Sequence, residues 1–315
     1  MIENIIFTTN TVAPVFLMVA LGYLLKWMNI INENFVQVIS KFVFSVSLPA
    51  FIFIEISELD LSKAVELGQI GFIYTGTLLM FVLSWVVSIP YIKDPRDRSA
   101  FIQGAFRGNY AIVGLALISS LFGKSGLGKA TILLAFVLPL YNVLAVVALT
   151  VPMRKIKKLN IKGTFNEILF NPLILAVIVA LPFSIYKVDL HPVISKSINY
   201  LSDVALPLAL IGIGGSLNID EIKRASSIAI SSSAIKIVFA PLVLTPLAYF
   251  FGYRAVDLGI MFILFACPTA IVSFIMAEAM GANGKLAGNI ILITTLASVV
   301  TIAFGILVMK SIGVI

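Results

Sequence analysis

The residues of this chain with chemical potential are few, and most of them interrupt long apolar runs. Arg107-Gly108-Asn109-Tyr110 breaks one run, and Cys267-Pro268-Thr269-Ala270 breaks another. Lys236, Asp203, Glu278 and Asn142 stand singly in others. With one cysteine, Cys267, and one histidine, His191, the chain offers neither an intramolecular disulfide framework nor a Cys/His metal set. No catalytic residue, metal or cofactor is expected. What the pattern does offer is binding. Glycine permits unwound backbone, and proline removes a backbone donor and clashes with the turn before it. Unwound backbone at membrane depth is tolerated only where it is buried in protein or lines a cavity. The half-helix that follows presents free N–H groups and a positive dipole end, which suit an anion. The Asn109 amide adds donors that pH does not neutralise.

Each of these residues also has a plainer reading. Pro268 alone can kink a membrane helix without any paired break. Arg107 lies about a quarter of the way into its run and can either serve a site or snorkel to the interface. Lys41 has the same interfacial option. Lys236 lies roughly 15 Å into its run at 1.5 Å per residue, near the midplane, where an acidic partner or a function is expected. Asp203 and Glu278 are candidate carboxylates for proton coupling, with interfacial structural roles as the alternative. Asn142 and Thr294-Thr295 are of the kind that more often hydrogen-bond between helices than hold a ligand. Gly123-Lys124-Ser125-Gly126-Leu127-Gly128-Lys129 resembles a phosphate loop but is followed by Ala130 rather than Ser/Thr, so it reads as a turn. Gly212-Ile213-Gly214-Gly215 reads as a close-packing face rather than a nucleotide motif.

The elements that must position these residues follow from composition. Of 315 residues, 60% are hydrophobic and only 12% charged, with mean hydropathy +1.09. A soluble domain is roughly 45–50% apolar and about 25% charged. Those figures exclude a soluble enzyme, a disordered chain and a nucleic-acid-binding module. The expected class is an all-α polytopic membrane protein with the lipid bilayer as its solvent. A span needs about 20 mostly apolar residues. Ten runs qualify: 11–27, 34–55, 67–91, 100–122, 128–152, 168–186, 193–216, 226–251, 256–280 and 286–310. Residues 1–10 hold no Lys or Arg, so no cleavable signal peptide is expected. The formal charge of +7 fits basic cytoplasmic loops. With both termini outside, the inner breaks carry twelve Lys/Arg and the outer ones seven, led by Arg154, Lys155, Lys157, Lys158 and Lys162 in the 153–167 linker.

The two halves of the chain are alike. Tyr110-Ala111-Ile112-Val113 aligns with Thr269-Ala270-Ile271-Val272 at an offset of 159, which also pairs Phe106 with Phe265 and Leu127 with Leu286. Leu48-Pro49 pairs with Leu206-Pro207 at 158. Five spans per copy is an odd number, so the second copy must enter the membrane inverted. Inverted repeats with broken helices crossing near the midplane are a construction of secondary transporters. The expected organisation is a first five-helix repeat over 1–152, a cytoplasmic linker over 153–167, and a second repeat over 168–315, with broken crossover helices 4 and 9.

Several stretches, in order, resemble the auxin efflux carrier family of membrane transporters. They are Pro14 with Gly22-Tyr23 and Lys26-Trp27; Ser40-Lys41-Phe42-Val43 followed by Leu48-Pro49; Asn109 with Ile112-Val113-Gly114; Ile235-Lys236 with Pro241; and Pro268 with Ile271-Val272, Phe274 and Ala277. The likeness spans nearly the whole chain. It implies ten helices, with helices 1, 2, 6 and 7 as a dimerising scaffold and 3–5 and 8–10 as a moving unit. It also implies a carboxylate bound near the crossover at the position of Asn109, beside Gly108, Tyr110, Cys267, Pro268, Thr269, Ala270 and Asn142. Gly108 stands where plant members carry proline, so auxin itself is not the expected cargo. The expected function is alternating-access transport of small organic anions, mono- or dicarboxylates, in the cell's inner membrane. A cation-coupled antiporter or bile-acid-type symporter on a related inverted repeat is the alternative.

Overall fold

The computed structural model describes residues 2–58, 67–154, 170, 172–188, 190–217 and 226–315. Among these the chain is helical, apart from one isolated antiparallel bridge between Gly108 and Thr269. We number the helices in chain order. They are α1 (Ile2–Trp27), α2 (Glu33–Ser57), α3 (Leu67–Tyr91), α4 (Pro95–Phe106), α5 (Tyr110–Thr150) and α6 (Pro172–Tyr186). There follow α7 (Pro192–Asp203), α8 (Ala205–Ser216), α9 (Ser227–Phe250), α10 (Ala255–Ala266), α11 (Val272–Met280) and α12 (Gly284–Ser311). Six stretches are long and apolar enough to cross a membrane: α2, α3, α5, α7 with α8, α9 and α12. Three shorter apolar helices accompany them. This is a multi-pass membrane protein.

Local chemistry sets the ends. Side chains of Asn32, Asp94, Ser226 and Asn283 accept from backbone N–H groups in the first turns of α2, α4, α9 and α12. Two π turns sit just ahead of prolines: Leu48 N–H reaches back to Val43 before Pro49, and Ala240 N–H to Ile235 before Pro241. The missing proline donor loosens the preceding ring from four residues to five.

Three expected boundaries need correction. The break left between the third and fourth runs, over 92–99, is shorter than expected: Asp94 caps and Pro95 opens α4, while the Arg98 guanidinium folds back on the Ile92 carbonyl. The turn expected over Gly123–Lys129 is present but narrower: two helical segments of α5 meet at a kink whose non-helical backbone is confined to Gly123, and its φ of 61° suits glycine. The seventh run is not one rod, because it is interrupted at Val204 between α7 and α8. Most of the 153–167 linker, with Lys155, Lys157, Lys158 and Lys162, lies outside the described residues.

α1, α2, α6, α7 and α8 pack mainly on one another. α3, α4, α5 and α9–α12 form a second group. α1 and α8 approach closely because Gly22 and Gly214 carry no side chains: a Cβ at Gly214 would strike the Val19 carbonyl. The Gly212–Gly215 segment is thus a packing face. The two groups meet along α1, α5 and α12 and across the break before α5.

Candidate functional site

The site is built where two helices stop. α4 ends at Phe106 and α5 begins at Tyr110, while α10 ends at Ala266 and α11 begins at Val272. The two extended stretches between them pair antiparallel. Asn109 N–H donates to the Pro268 carbonyl at 2.7 Å, and Ala270 N–H to the Arg107 carbonyl at 3.2 Å. This short ladder satisfies backbone groups that would otherwise be stranded at membrane depth. The break is paired, and Pro268 is part of it rather than a simple kink.

The framework of the crossing is tightly hydrogen-bonded. Thr269 donates its hydroxyl to the Gly104 carbonyl at 2.8 Å, and its N–H to Thr294 Oγ1 at 3.0 Å. Thr294 therefore does bond between helices. Lys236, 1% exposed, donates its ammonium to the Phe265 carbonyl at 2.7 Å. The acidic partner expected for Lys236 is not what it meets. Its partner is the carbonyl end of α10, where the helix dipole is negative. It also lies against Gly108, where a Cβ would stand 3.2 Å from Nζ.

Gly108 also lines a cavity of about 50 Å³. Its lining includes Arg107, Gly108, Asn109, Tyr110 and Ala270 from the two breaks, with Ala111, Ile112 and Val272 from the helix starts. Tyr141, Leu134, Leu138, Leu173, Phe44 and Leu48 complete the wall. The Asn109 side chain is 6% exposed and makes no hydrogen bond among the described residues. A buried amide without a partner is costly, and this one opens onto the cavity. Arg107 is 3% exposed and does not snorkel. It donates through Nη2 to Asn142 Oδ1 at 2.7 Å and lays Nη1 against the Met276 sulfur.

Of the expected site residues, Arg107, Gly108, Asn109, Tyr110 and Ala270 come together at the cavity. Asn142 stands behind Arg107, and the Tyr110 hydroxyl is committed to the Ala130 carbonyl at 3.2 Å. Pro268 and Thr269 belong to the framework. Cys267 is fully buried behind the cavity wall. Asp203 is exposed at the end of α7 and away from the cavity, as Lys41 is in α2. Glu278 is carried by α11, but its side chain lies outside the described residues. Sequence reading missed Tyr141, whose hydroxyl faces the Gly108 N–H, and Met276. Its only signal was the neighbouring Asn142 in the same run.

Comparison with known proteins follows this geometry. The family described as "membrane transport protein" matches residues 7–306. A protein of Methanothermobacter thermautotrophicus named an uncharacterized transporter is 22% identical over 94% of this chain and 96% of its own. An uncharacterized transporter of Methanocaldococcus jannaschii is 24% identical over 93% and 96%. A Rhizobium meliloti protein named "putative malonate transporter" is 26% identical over 93% of each.

Proposed function

Since the chain belongs to the membrane transport protein family, we propose that it is a secondary transporter that moves small organic anions, mono- or dicarboxylates, by alternating access. The observation that carries this reading is the Asn109 amide, buried and without a partner at the mouth of the paired break. A carboxylate there accepts from the amide and from N–H groups at the start of α5, and feels the positive ends of α5 and α11. The name of the Rhizobium meliloti relative supports an organic acid as cargo.

In this reading the helices make ten crossings as two inverted five-helix repeats. α4 with the start of α5, and α10 with α11, are the broken crossover helices. The group of α1, α2, α6, α7 and α8 is the scaffold through which a second copy docks. The other group carries the site up and down as an elevator. Both termini lie outside the cytoplasm of the cell membrane.

Purified protein in liposomes loaded with a panel of carboxylates tests the proposal. Counterflow of at least one labelled short-chain carboxylate is the expected result. Absence of counterflow and of binding for the whole panel would overturn it.

A further inference from the structure

Away from the crossing lies an apolar groove of about 560 Å³, between the later halves of α9 and α12 and floored by α10. The two walls pack together at the π turn Ile235–Phe239 and part beyond it. Pro241 and Pro246 lie on the parting stretch of α9, and each lacks the N–H for a helical bond. Leu258 and Phe262 form the buried floor. The Phe262 ring reaches under α12 because Gly305 has no side chain, and a Cβ there would strike it. Leu242, Phe304 and Val308 are exposed along the walls, so the groove opens sideways toward lipid.

Its dimensions limit what fits. The lining runs from Ile237 and Thr301 at one end to Tyr249 and Ile312 at the other. The stretch of α12 from Thr301 to Ile312 rises about 16 Å at 1.5 Å per residue. One leaflet of the hydrocarbon core is about 15 Å deep, half of about 30 Å. The groove is thus one leaflet long. Its volume spread over that length leaves a channel about 6–7 Å wide, whereas a helix with its side chains needs about 10–12 Å. One extended hydrocarbon chain fits, and a partner's transmembrane helix does not.

At the shallow end stands Arg254, in the turn between α9 and α10. Its guanidinium carbon lies 3.6 Å from the centre of the Tyr249 ring, and Tyr249 is the last α9 residue of the lining. Nη1 donates to the Tyr249 and Tyr253 carbonyls at 2.5 and 2.8 Å. Nε and Nη2 make no hydrogen bond among the described residues. No carboxylate pairs with the group there either, since the neighbouring Asp257 is taken by Lys129 at 2.9 Å. The side chain is exposed, held in place on one edge and free on the other. Paired N–H groups on a fixed guanidinium are an arrangement that grips phosphate.

We infer that this groove binds an anionic phospholipid, with the phosphate on Arg254 and one acyl chain laid along the channel to Ile237 and Phe262. The cation at the mouth and the largely apolar channel below it match the two parts of that molecule in order and in length. A free phosphate would use only the first, and a plain hydrocarbon only the second. The chain's tail ends behind the crossing: Ile237 follows Lys236, and Phe262 lies one turn before Phe265, whose carbonyl Lys236 holds. The site is distinct from the Asn109 cavity and does not depend on the cargo.

The test is titration of the purified full chain in detergent with two lipids, read as bound lipid by native mass spectrometry. They are dioleoyl phosphatidylglycerol and dioleoyl phosphatidylcholine, which have the same chains but differ in net headgroup charge. Phosphatidylglycerol is expected to bind about fivefold more tightly, the preference that one arginine at an anionic headgroup supplies. Arg254→Gln, a change at an exposed side chain, is expected to remove that preference. Val308→Trp, which fills the groove, is expected to weaken binding of both lipids. Phosphatidylglycerol carrying a diazirine near the end of one chain is expected to label Ile237, Val238 and Phe262 on illumination. Equal binding of the two lipids by the wild type, or a preference that survives Arg254→Gln, overturns the proposal. So does unchanged binding in Val308→Trp, or labelling no stronger in the groove than on other lipid-facing helices. If Val308→Trp does not fold, the labelling still locates the chain. A disulfide formed between two Val308→Cys chains in the membrane would give the groove to a second copy and overturn the lipid assignment.

Discussion

Beside Gly108 the Lys236 ammonium donates to a helix-terminal carbonyl. The Arg107 guanidinium, from the residue just before Gly108, rests instead on an amide oxygen and a thioether. Both cations are almost wholly buried, and both sit within a few residues' span of the same break. Burying a charge is costly unless the site supplies compensation. The lysine finds it in the peptide dipoles of the fold, so its charge is part of the framework. The arginine's partners among the described residues, Asn142 and Met276, are neutral, so its charge is less fully met there than the lysine's. Identical burial thus has different meanings, and the partner, not the depth, tells them apart.

The comparison breaks first, and with the largest effect, at Lys236. Lys236→Met removes a charge-assisted hydrogen bond, worth about 1.5–3 kcal/mol, and leaves the carbonyl ends of α4 and α10 uncompensated. A marked fall in thermal stability is expected, together with reduced transport. Lys236→Arg keeps the charge and part of both. Gly108→Ala probes the same contact from the other partner. Its Cβ would stand 3.2 Å from Nζ and 3.3 Å from the Leu264 carbonyl oxygen, and a backbone carbonyl yields little. Normal flux and melting temperature in Lys236→Met would return the lysine to the status of a bystander.

The cavity side is expected to respond in the opposite way, with affinity lost and stability kept. The Asn109 side chain holds nothing in the protein, so Asn109→Ala should leave the melting temperature nearly unchanged. It should weaken carboxylate binding by roughly 10- to 150-fold, the equivalent of a charge-assisted hydrogen bond of about 1.5–3 kcal/mol. Asn109→Asp replaces donors by acceptors and adds a negative charge within a poorly screened site. It should bind worse than the alanine variant at neutral pH and recover in part as the new carboxyl protonates on acidification. Affinity and melting curves of both variants across pH separate this from a structural role. Unchanged substrate affinity in a stable Asn109→Asp protein would remove the residue from the site.

Sequence reading reached one half of this comparison more easily than the other. A glycine and a proline inside apolar runs mark broken helices by their own backbone chemistry, so both breaks and the amide of Asn109 beside them were legible. The partner of Lys236 was not. Carbonyls leave no trace in residue identity, and an acidic residue was the natural expectation at such depth. Tyr141, Met276 and Leu173 meet Arg107 and the cavity across 34 to 169 positions of chain, and nothing in an apolar run distinguishes a cavity wall from a lipid face. The start of α4 was legible, since Asp94-Pro95 is a cap followed by a helix-opening proline. The surrounding charges drew attention to a loop instead.

Thr269 sharpens the comparison at its finest scale, because the sequence placed it beside the ligand and the structure places it in the frame. Its hydroxyl donates to the Gly104 carbonyl near the end of α4, and its N–H is taken by Thr294. Thr269→Val keeps the shape and removes only that donor. The Gly104 carbonyl, buried in the crossing, would then lose one partner, at a cost of about 1–3 kcal/mol. Thr269→Ser keeps the donor and loses one methyl group, about 0.8 kcal/mol by transfer. Stability should therefore fall further in the valine variant than in the serine variant, although valine fills the space better. Carboxylate affinity should be within a few-fold of wild type in both, since neither change touches Asn109 or Arg107. Thermal melting with and without saturating malonate reads the two quantities together: the melting temperature shifts down, while the ligand-induced increment stays constant. A serine variant less stable than the valine variant would make packing, not the hydroxyl, the role of this position. A lost increment in Thr269→Val at retained fold would instead move Thr269 from the frame into the site.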